Sequence, residues 1–361
     1  MSRPACAIID TQALRFNLQR VRDLAAGRRI MAILKADAYG HGLESTARHL
    51  NEADAFGVAC LEEAVRLRDA GVVTPVILLE GPFAAQELDE IQRLHLETVV
   101  HDYYQLEMIE RARFRRAIRV WLKIDTGMHR LGFPLDAVPE VLGRLEACQA
   151  VQIPPRLMTH FASTQQRGDA SVTKQLDNFQ RVTEGLPGER CLANSAGIIA
   201  WPGTHGDWVR PGLMLYGISP FSDTTSTDEG LKPVMTLRSE IIAVRRLKAG
   251  ERVGYGGTWE CPEEMPVGIL AMGYGDGYPR HASVGTPVLV NGQRVALIGK
   301  ASMDMLAVDL RLAPSAQVGD PAELWGENLP VEEIARHAGT IPYELLCSVR
   351  SRVRFMDKGA V

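Results

Sequence analysis

The 361 residues suffice for two or three domains of roughly 150 residues, or for one barrel of about 250 residues with a smaller companion. With 46% hydrophobic and 23% charged side chains, the chain can bury a large core, which excludes disordered, collagen-like and fibrous classes. Forty basic against 44 acidic residues leave a net charge of -4, so no polyanion footprint is present and neither nucleic acid nor an anionic membrane is expected as a partner.

No stretch approaches 18 apolar residues, and the opening MSRPACAIIDTQALRF lacks the apolar core of a signal peptide, so a cytoplasmic protein is expected. Cys6, Cys60, Cys148, Cys191, Cys261 and Cys347 form no C-x-x-C pair. They are read as reduced, mostly buried thiols, with no metal site and no disulfide framework.

In chain order, strands are predicted at Ile30 to Lys35, Ala55 to Cys60, Val76 to Glu80, Glu97 to Val100, Ile118 to Asp125, Arg156 to Phe161, Cys191 to Asn194 and Trp208 to Arg210. Amphipathic helical stretches separate them, such as Leu61 to Ala70 with Gly71 as its stop. Eight such units predict a (β/α)8, TIM-like barrel. An open doubly wound sheet stays open as an alternative, since periodicity cannot show closure, although no G-x-G-x-x-G follows any strand.

Ser219 to Lys232 (SPFSDTTSTDEGLK) reads as a polar linker with few contacts across it. The division is therefore drawn as a barrel domain, residues 1–231, and a smaller, mostly β C-terminal domain, residues 232–361. Strands of the latter are predicted at Val234 to Leu247, Pro266 to Met272, Pro287 to Leu297 and Met305 to Leu310, with one helix at Val331 to Ala338. Residues 1–10, with a strand at Cys6 to Asp10, are left open to pair with the β domain.

The first barrel strand runs apolar from Ile30 to Leu34 and then into Lys35-Ala-Asp-Ala-Tyr39-Gly-His-Gly. Lys35 thus stands at the catalytic end of a barrel strand, where partial desolvation makes an amine nucleophilic toward carbonyls. Taken alone it is equally an ion-paired or solvated lysine. Asn194-Ser195-Ala196-Gly197 and Pro211-Gly212-Leu213 follow strands seven and eight, where barrels commonly hold phosphate. They are also two ordinary turns. Arg210, with Asp207 as an alternative partner, closes the eighth strand.

The string AILKADAYGHG resembles the cofactor-lysine motif of the alanine racemase family, barrel enzymes that use pyridoxal phosphate. The resemblance continues through LKIDTGMHRLGF, MTHF, NSAG, VRPGLMLYG, VGYGGTW, GYGDGYPR and SMDM, in the same order along the chain. It implies interconversion of L-alanine and D-alanine by two bases, Lys35 and Tyr255. It further implies a homodimer in which the partner subunit's β domain completes each active site.

The same resemblance implies that Lys35 holds pyridoxal 5'-phosphate covalently. Tyr39, Ser195, Gly212, Leu213 and Tyr343 would contact its phosphate, and Arg210 its ring nitrogen. Because arginine only donates hydrogen bonds, it would keep that nitrogen unprotonated and favour simple proton movement. His160 would relay between Arg210 and Tyr255, the His160–Arg210 pair supplying positive charge beside the phenol. Arg130 would meet the cofactor's phenolic oxygen and the substrate carboxylate, and the Met303 backbone N–H would be a second carboxylate contact. Lys123 matches a lysine that is often carbamylated in that family and orients the matching arginine, a plain lysine contacting Asp125 or solvent being the alternative, while Tyr274 and Asp304 would shape the entrance.

Where some members of that family have cysteine before the Met-Asp pair, this chain has Ser302. D-alanine for peptidoglycan, or alanine catabolism, is the implied use. Other readings are a decarboxylase of basic amino acids, disfavoured by Arg210, a pyridoxal phosphate carrier, disfavoured by the β domain, and a racemase of broader specificity.

Overall fold

The computed structural model describes residues 3–349 and 351–358. The chain forms two compact units, Arg15–Leu215 with Pro220–Asp223, and Met1–Leu14 with Tyr216–Ser219 and Thr224–Val361. The second unit begins with β1 (Cys6–Ile9).

The first unit is a closed parallel barrel of β2 (Arg29–Ile33), β3 (Ala55–Val58), β4 (Val76–Leu78), β5 (Glu97–Val100), β6 (Val120–Lys123), β7 (Arg156–Met158), β8 (Arg190–Asn194) and β9 (Trp208–Arg210). Closure is made by Arg29 opposite Trp208 and Ile30 opposite Val209, which rules out the open sheet. The strands are apolar on both faces because one face packs inside the barrel and the other against helices. Met31, Ala32, Phe56, Ile77, Val99, Leu122 and Leu157 are all fully buried.

Helices follow the strands, and their ends are chemically marked. The Asp102 carboxylate accepts the Tyr104 N–H at the start of Tyr103–Arg111. Asp169 accepts Ser171 N–H before Ala170–Thr183, and the Asn194 side chain accepts Gly197 N–H before Ser195–Ala200. Such caps satisfy amides that a helix leaves unpaired.

At the N-terminal ends of the strands, Trp121 and Trp208 pack edge to face, ring centroids 5.6 Å apart. The Arg156 guanidinium lies over both, 4.9 and 5.1 Å from their centroids, and pairs with Glu97 at 2.8 Å and Glu189 at 2.7 Å. Each indole N–H donates to one of those carboxylates. This polar and aromatic layer fills the barrel's closed end.

The remaining strands of the second unit are β10 (Met235–Leu247), β11 (Arg252–Val253), β12 (Trp259–Glu260), β13 (Met265–Leu270), β14 (Pro287–Val290), β15 (Gln293–Ile298), β16 (Leu306–Asp309), β17 (Pro321–Trp325) and β18 (Arg354–Asp357). Eight strands form one sheet, in the order β13-β16-β15-β14-β17-β10-β1-β18. The long β10 pairs with β17 through Leu237 to Glu240 and with β13 through Ile241 to Leu247, so six of these strands close on themselves. β1 lies antiparallel to β10 and parallel to β18.

Three expectations are corrected. The run Pro287 to Leu297 is a hairpin, broken at Asn291-Gly292, both at positive φ. The segment 219–232 is folded: Phe221 and Leu231 are buried, Ser219 N–H donates to the Glu332 carboxylate, and Thr224 donates to Glu229. Its short hydroxyl side chains find local partners, which a count of aliphatic residues does not register. Of the six free cysteines, only Cys191 and Cys261 are buried.

Candidate functional site

The barrel's C-terminal end collects the basic groups singled out in the sequence. Lys35 directly follows Leu34 at the end of β2, and the next four residues take an uncommon path. Ala36, Asp37, Ala38 and Tyr39 all have φ of 53 to 55° and ψ of 41 to 52°, a single turn of left-handed helix. For residues with a Cβ this costs roughly 1–2 kcal/mol each, a strain that persists only where surrounding structure compensates it.

The turn buries the Tyr39 side chain and brings its hydroxyl beside Gly212, after β9. A Cβ at Gly212 would lie 2.6 Å from that oxygen, so the close approach needs glycine. Ser195 Oγ accepts the N–H groups of Gly212 and Met214, at 3.0 and 3.3 Å. With its lone pairs so engaged, the hydroxyl proton is free to be donated to an anion. Leu213 is buried at the head of the turn Leu213–Tyr216.

Arg210 is buried and held as a fork. Nη1 donates to Cys191 O at 2.7 Å, and Nη2 to Thr159 O at 2.6 Å and Leu192 O at 3.2 Å. Its orientation is therefore set by main-chain carbonyls, and Asp207 instead accepts the Arg190 N–H. Nη2 also lies 3.2 Å from His160 Nδ1. Because arginine can only donate, Nδ1 is the acceptor and the neutral ring carries its proton on Nε2.

Burial, then the charges of Arg210 and Lys123, hold His160 well below the usual imidazole range. The positive charge of the His160–Arg210 pair therefore resides on Arg210. Lys123, at the end of β6, is pushed down to about 8 by burial and by Arg210, Arg130 and Lys35, with Glu80 opposing. Lys35, Lys123, Arg130 and Arg210 thus concentrate positive charge around one neutral histidine. Such a mouth suits an anionic ligand.

On the second unit, Tyr255 opens the turn Tyr255–Gly257 and is 68% exposed, and Met303 is 52% exposed. Tyr343 sits on the helix Pro342–Cys347. Tyr274 and Asp304 belong to two loops tied together by Tyr274 N–H to Ser302 O and Gly275 N–H to Met303 O. Asp304 pairs with Arg352, and the buried Asp276 pairs with both Arg3 and Arg352. The Arg280 guanidinium lies over the Tyr274 ring.

Sequence reasoning passed over Glu63. Its carboxylate accepts the N–H of Ala36 at 2.7 Å and of Ala59 at 2.8 Å. The available signal was an acidic residue at the third helical position after Cys60, the place from which a side chain reaches back to free amides.

A closed barrel with its basic groups gathered at the C-terminal mouth, followed by a mostly β domain, has the arrangement of a barrel enzyme that holds an anionic ligand there. Residues 9–220 match the family model for the alanine racemase N-terminal domain, and residues 234–356 the model for its C-terminal domain. An alanine racemase of Nitrosococcus oceani is 54% identical over 348 residues, covering 96% of this chain and 97% of that protein. A biosynthetic alanine racemase of Escherichia coli K12 is 50% identical, covering 97% and 98%. The crystal structure of biosynthetic alanine racemase from Pseudomonas aeruginosa superposes with a TM-score of 0.96 at 43% identity, covering 99% of both chains.

The chain belongs to the alanine racemase family. It is an amino-acid racemase acting on alanine, in a family that generally depends on pyridoxal phosphate. Among the described residues no helix is long and apolar enough to cross a membrane.

Proposed function

We propose that this chain holds pyridoxal 5'-phosphate at the barrel mouth through Lys35 and racemises alanine with Lys35 and Tyr255 as opposed bases. The observation that carries this reading is the buried, carbonyl-anchored Arg210 among Lys35, Lys123 and Arg130, with neutral His160 beside it. The residues fit the cofactor: the Ser195 hydroxyl, the Gly212 approach and Tyr39 make a cradle for a phosphate, to which Leu213 and Tyr343 add. When bound, pyridoxal phosphate supplies an electron-withdrawing ring that acidifies the substrate Cα–H.

Arg210 would meet the ring nitrogen as a permanent donor, which would favour proton exchange over deeper rearrangements. Arg130 recognises the substrate carboxylate with a planar fork, and the Met303 N–H adds a second contact. Lys35 takes or returns the Cα proton on one side, and Tyr255 serves the other. Arg210, polarising His160, lowers the cost of the Tyr255 phenolate. Tyr274 and Asp304 restrict the entrance to small amino acids.

Lys123 carries a carbamate in the working enzyme: its neutral amine attacks carbon dioxide, an N–C bond forms, and a proton leaves. The resulting anion offsets the neighbouring cations and orients Arg130. The working form is a cytoplasmic homodimer, with Tyr255 and Met303 contributed across the subunit boundary. The chain divides functionally into residues 1–231 and 232–361, with residues 1–10 pairing with the latter through β1, and its product supplies peptidoglycan synthesis or its substrate feeds alanine breakdown.

The test is Tyr255→Phe combined with borohydride reduction. Reduction is expected to leave a pyridoxyl group on Lys35 in both proteins, and the variant to lose interconversion. Near-normal turnover in both directions, or no adduct on Lys35, rejects the assignment.

A further inference from the structure

Around the left-handed turn after Lys35, Ala38 N–H donates to Leu34 O, His41 N–H to Ala38 O and Gly42 N–H to Asp37 O. Its first amide, Ala36 N–H, finds its acceptor elsewhere, in the half-buried Glu63 carboxylate on the helix Leu61–Asp69. The other oxygen of Glu63 takes the Ala59 N–H just past β3. One carboxylate therefore joins the catalytic ends of two adjacent barrel strands, β2 and β3.

One turn further along the same helix, Arg66 donates to the Asp37 carboxylate, which also accepts Leu43 N–H. Arg66 additionally pairs with Glu44. These side chains are largely solvent-exposed, so the Arg66 contacts are weak and readily screened. Glu63 makes two charge-assisted bonds to main-chain amides, the one to Ala59 part-buried, and such bonds are the stronger kind.

We propose that Glu63 is a positioning residue for catalysis. By holding the first amide of the left-handed turn, it sets the directions in which Lys35, before the turn, and Tyr39, at its end, present their amine and hydroxyl. This rests on the assignment of those two residues above. Without the carboxylate, Ala36 is free to relax toward right-handed or extended geometry, and Lys35 and Tyr39 lose their shared frame.

The test is Glu63→Gln, which keeps shape but places an amide donor against one of the two N–H groups. Glu62→Gln, on the exposed neighbouring residue, serves as the control. In Glu63→Gln, pyridoxal phosphate affinity by fluorescence titration is expected to fall about tenfold. The kcat for alanine should fall by a similar factor, with KM within about twofold, because the carboxylate contacts lie elsewhere. Amides 36–40 should exchange hydrogen roughly tenfold faster, with those of β4 unchanged.

Should the glutamine variant fail to accumulate, Glu63→Asp retains charge but is too short to reach both amides, and it is expected to lose affinity in the same way. Wild-type affinity together with wild-type exchange at 36–40 in either variant overturns the proposal. Absence of a borohydride adduct on Lys35 in the unaltered enzyme would remove the catalytic assignment, whereas the exchange result decides the clamp by itself.

Discussion

The fold strongly alters the chemistry of Lys123. Burial, with Arg210, Arg130 and Lys35 nearby, lowers its amine from 10.5 to about 8. At pH 7.5 about a quarter of the molecules then carry the neutral, nucleophilic amine, against about one in a thousand for an ordinary lysine. The folded protein is penalised while this amine is protonated, fully so below about pH 8, by about 3 kcal/mol. The penalty lifts as pH rises from about 8 to 10.5, because the unfolded chain binds the extra proton throughout that window.

Competitive acetylation of the cofactor-free enzyme in buffer stripped of carbon dioxide, followed by mass spectrometry of the Lys123 peptide, measures the midpoint directly. The expected midpoint lies near 8, and Lys123→Met should stabilise the protein at neutral pH but not at pH 10.5. A midpoint near that of free lysine, or a stability gain independent of pH, would refute the reasoning. Added carbon-13-labelled bicarbonate should give a carbamate resonance in the parent protein and none in the methionine variant.

Ser195→Ala removes the acceptor of two buried amides, each costing about 1–3 kcal/mol; a lower melting temperature and at least roughly tenfold weaker binding of pyridoxal phosphate are expected, by calorimetry and titration. Arg156→Met leaves Glu97 without its ion-pair partner at the closed end of the barrel, while Glu189 keeps Arg29. About 3 kcal/mol of stability should be lost, with kcat and KM of the surviving folded enzyme unchanged; a change in kcat would show that the two ends of the barrel are coupled.

The barrel was legible because each of its strands is a short apolar run bounded by turn residues, and the structure places β5 and β9 over the residues expected. Strand lengths were less so: β2 stops at Ile33 because the chain turns into left-handed geometry directly after Lys35. That turn was invisible, since Ala-Asp-Ala-Tyr carries no glycine to announce positive φ and is imposed by partners such as Glu63. β17 and β18 were missed because Pro321-Ala-Glu-Leu-Trp and Arg354-Phe-Met-Asp mix charged and apolar residues in runs too short to show a period. The candidate site was named through motifs, whereas the neutrality of His160 depends on burial and on long-range neighbours that no motif contains.

The layer of Trp121, Trp208, Arg156, Glu97 and Glu189 has a consequence for traffic. It makes the barrel a vessel with a floor, so nothing drains through the bottom. On the assignment proposed above, amino acids arrive and depart by the mouth opposite this layer and pass it in turn. Because the two enantiomers have the same size and charge, neither can be cleared faster by a separate exit, and each competes with the other for one threshold.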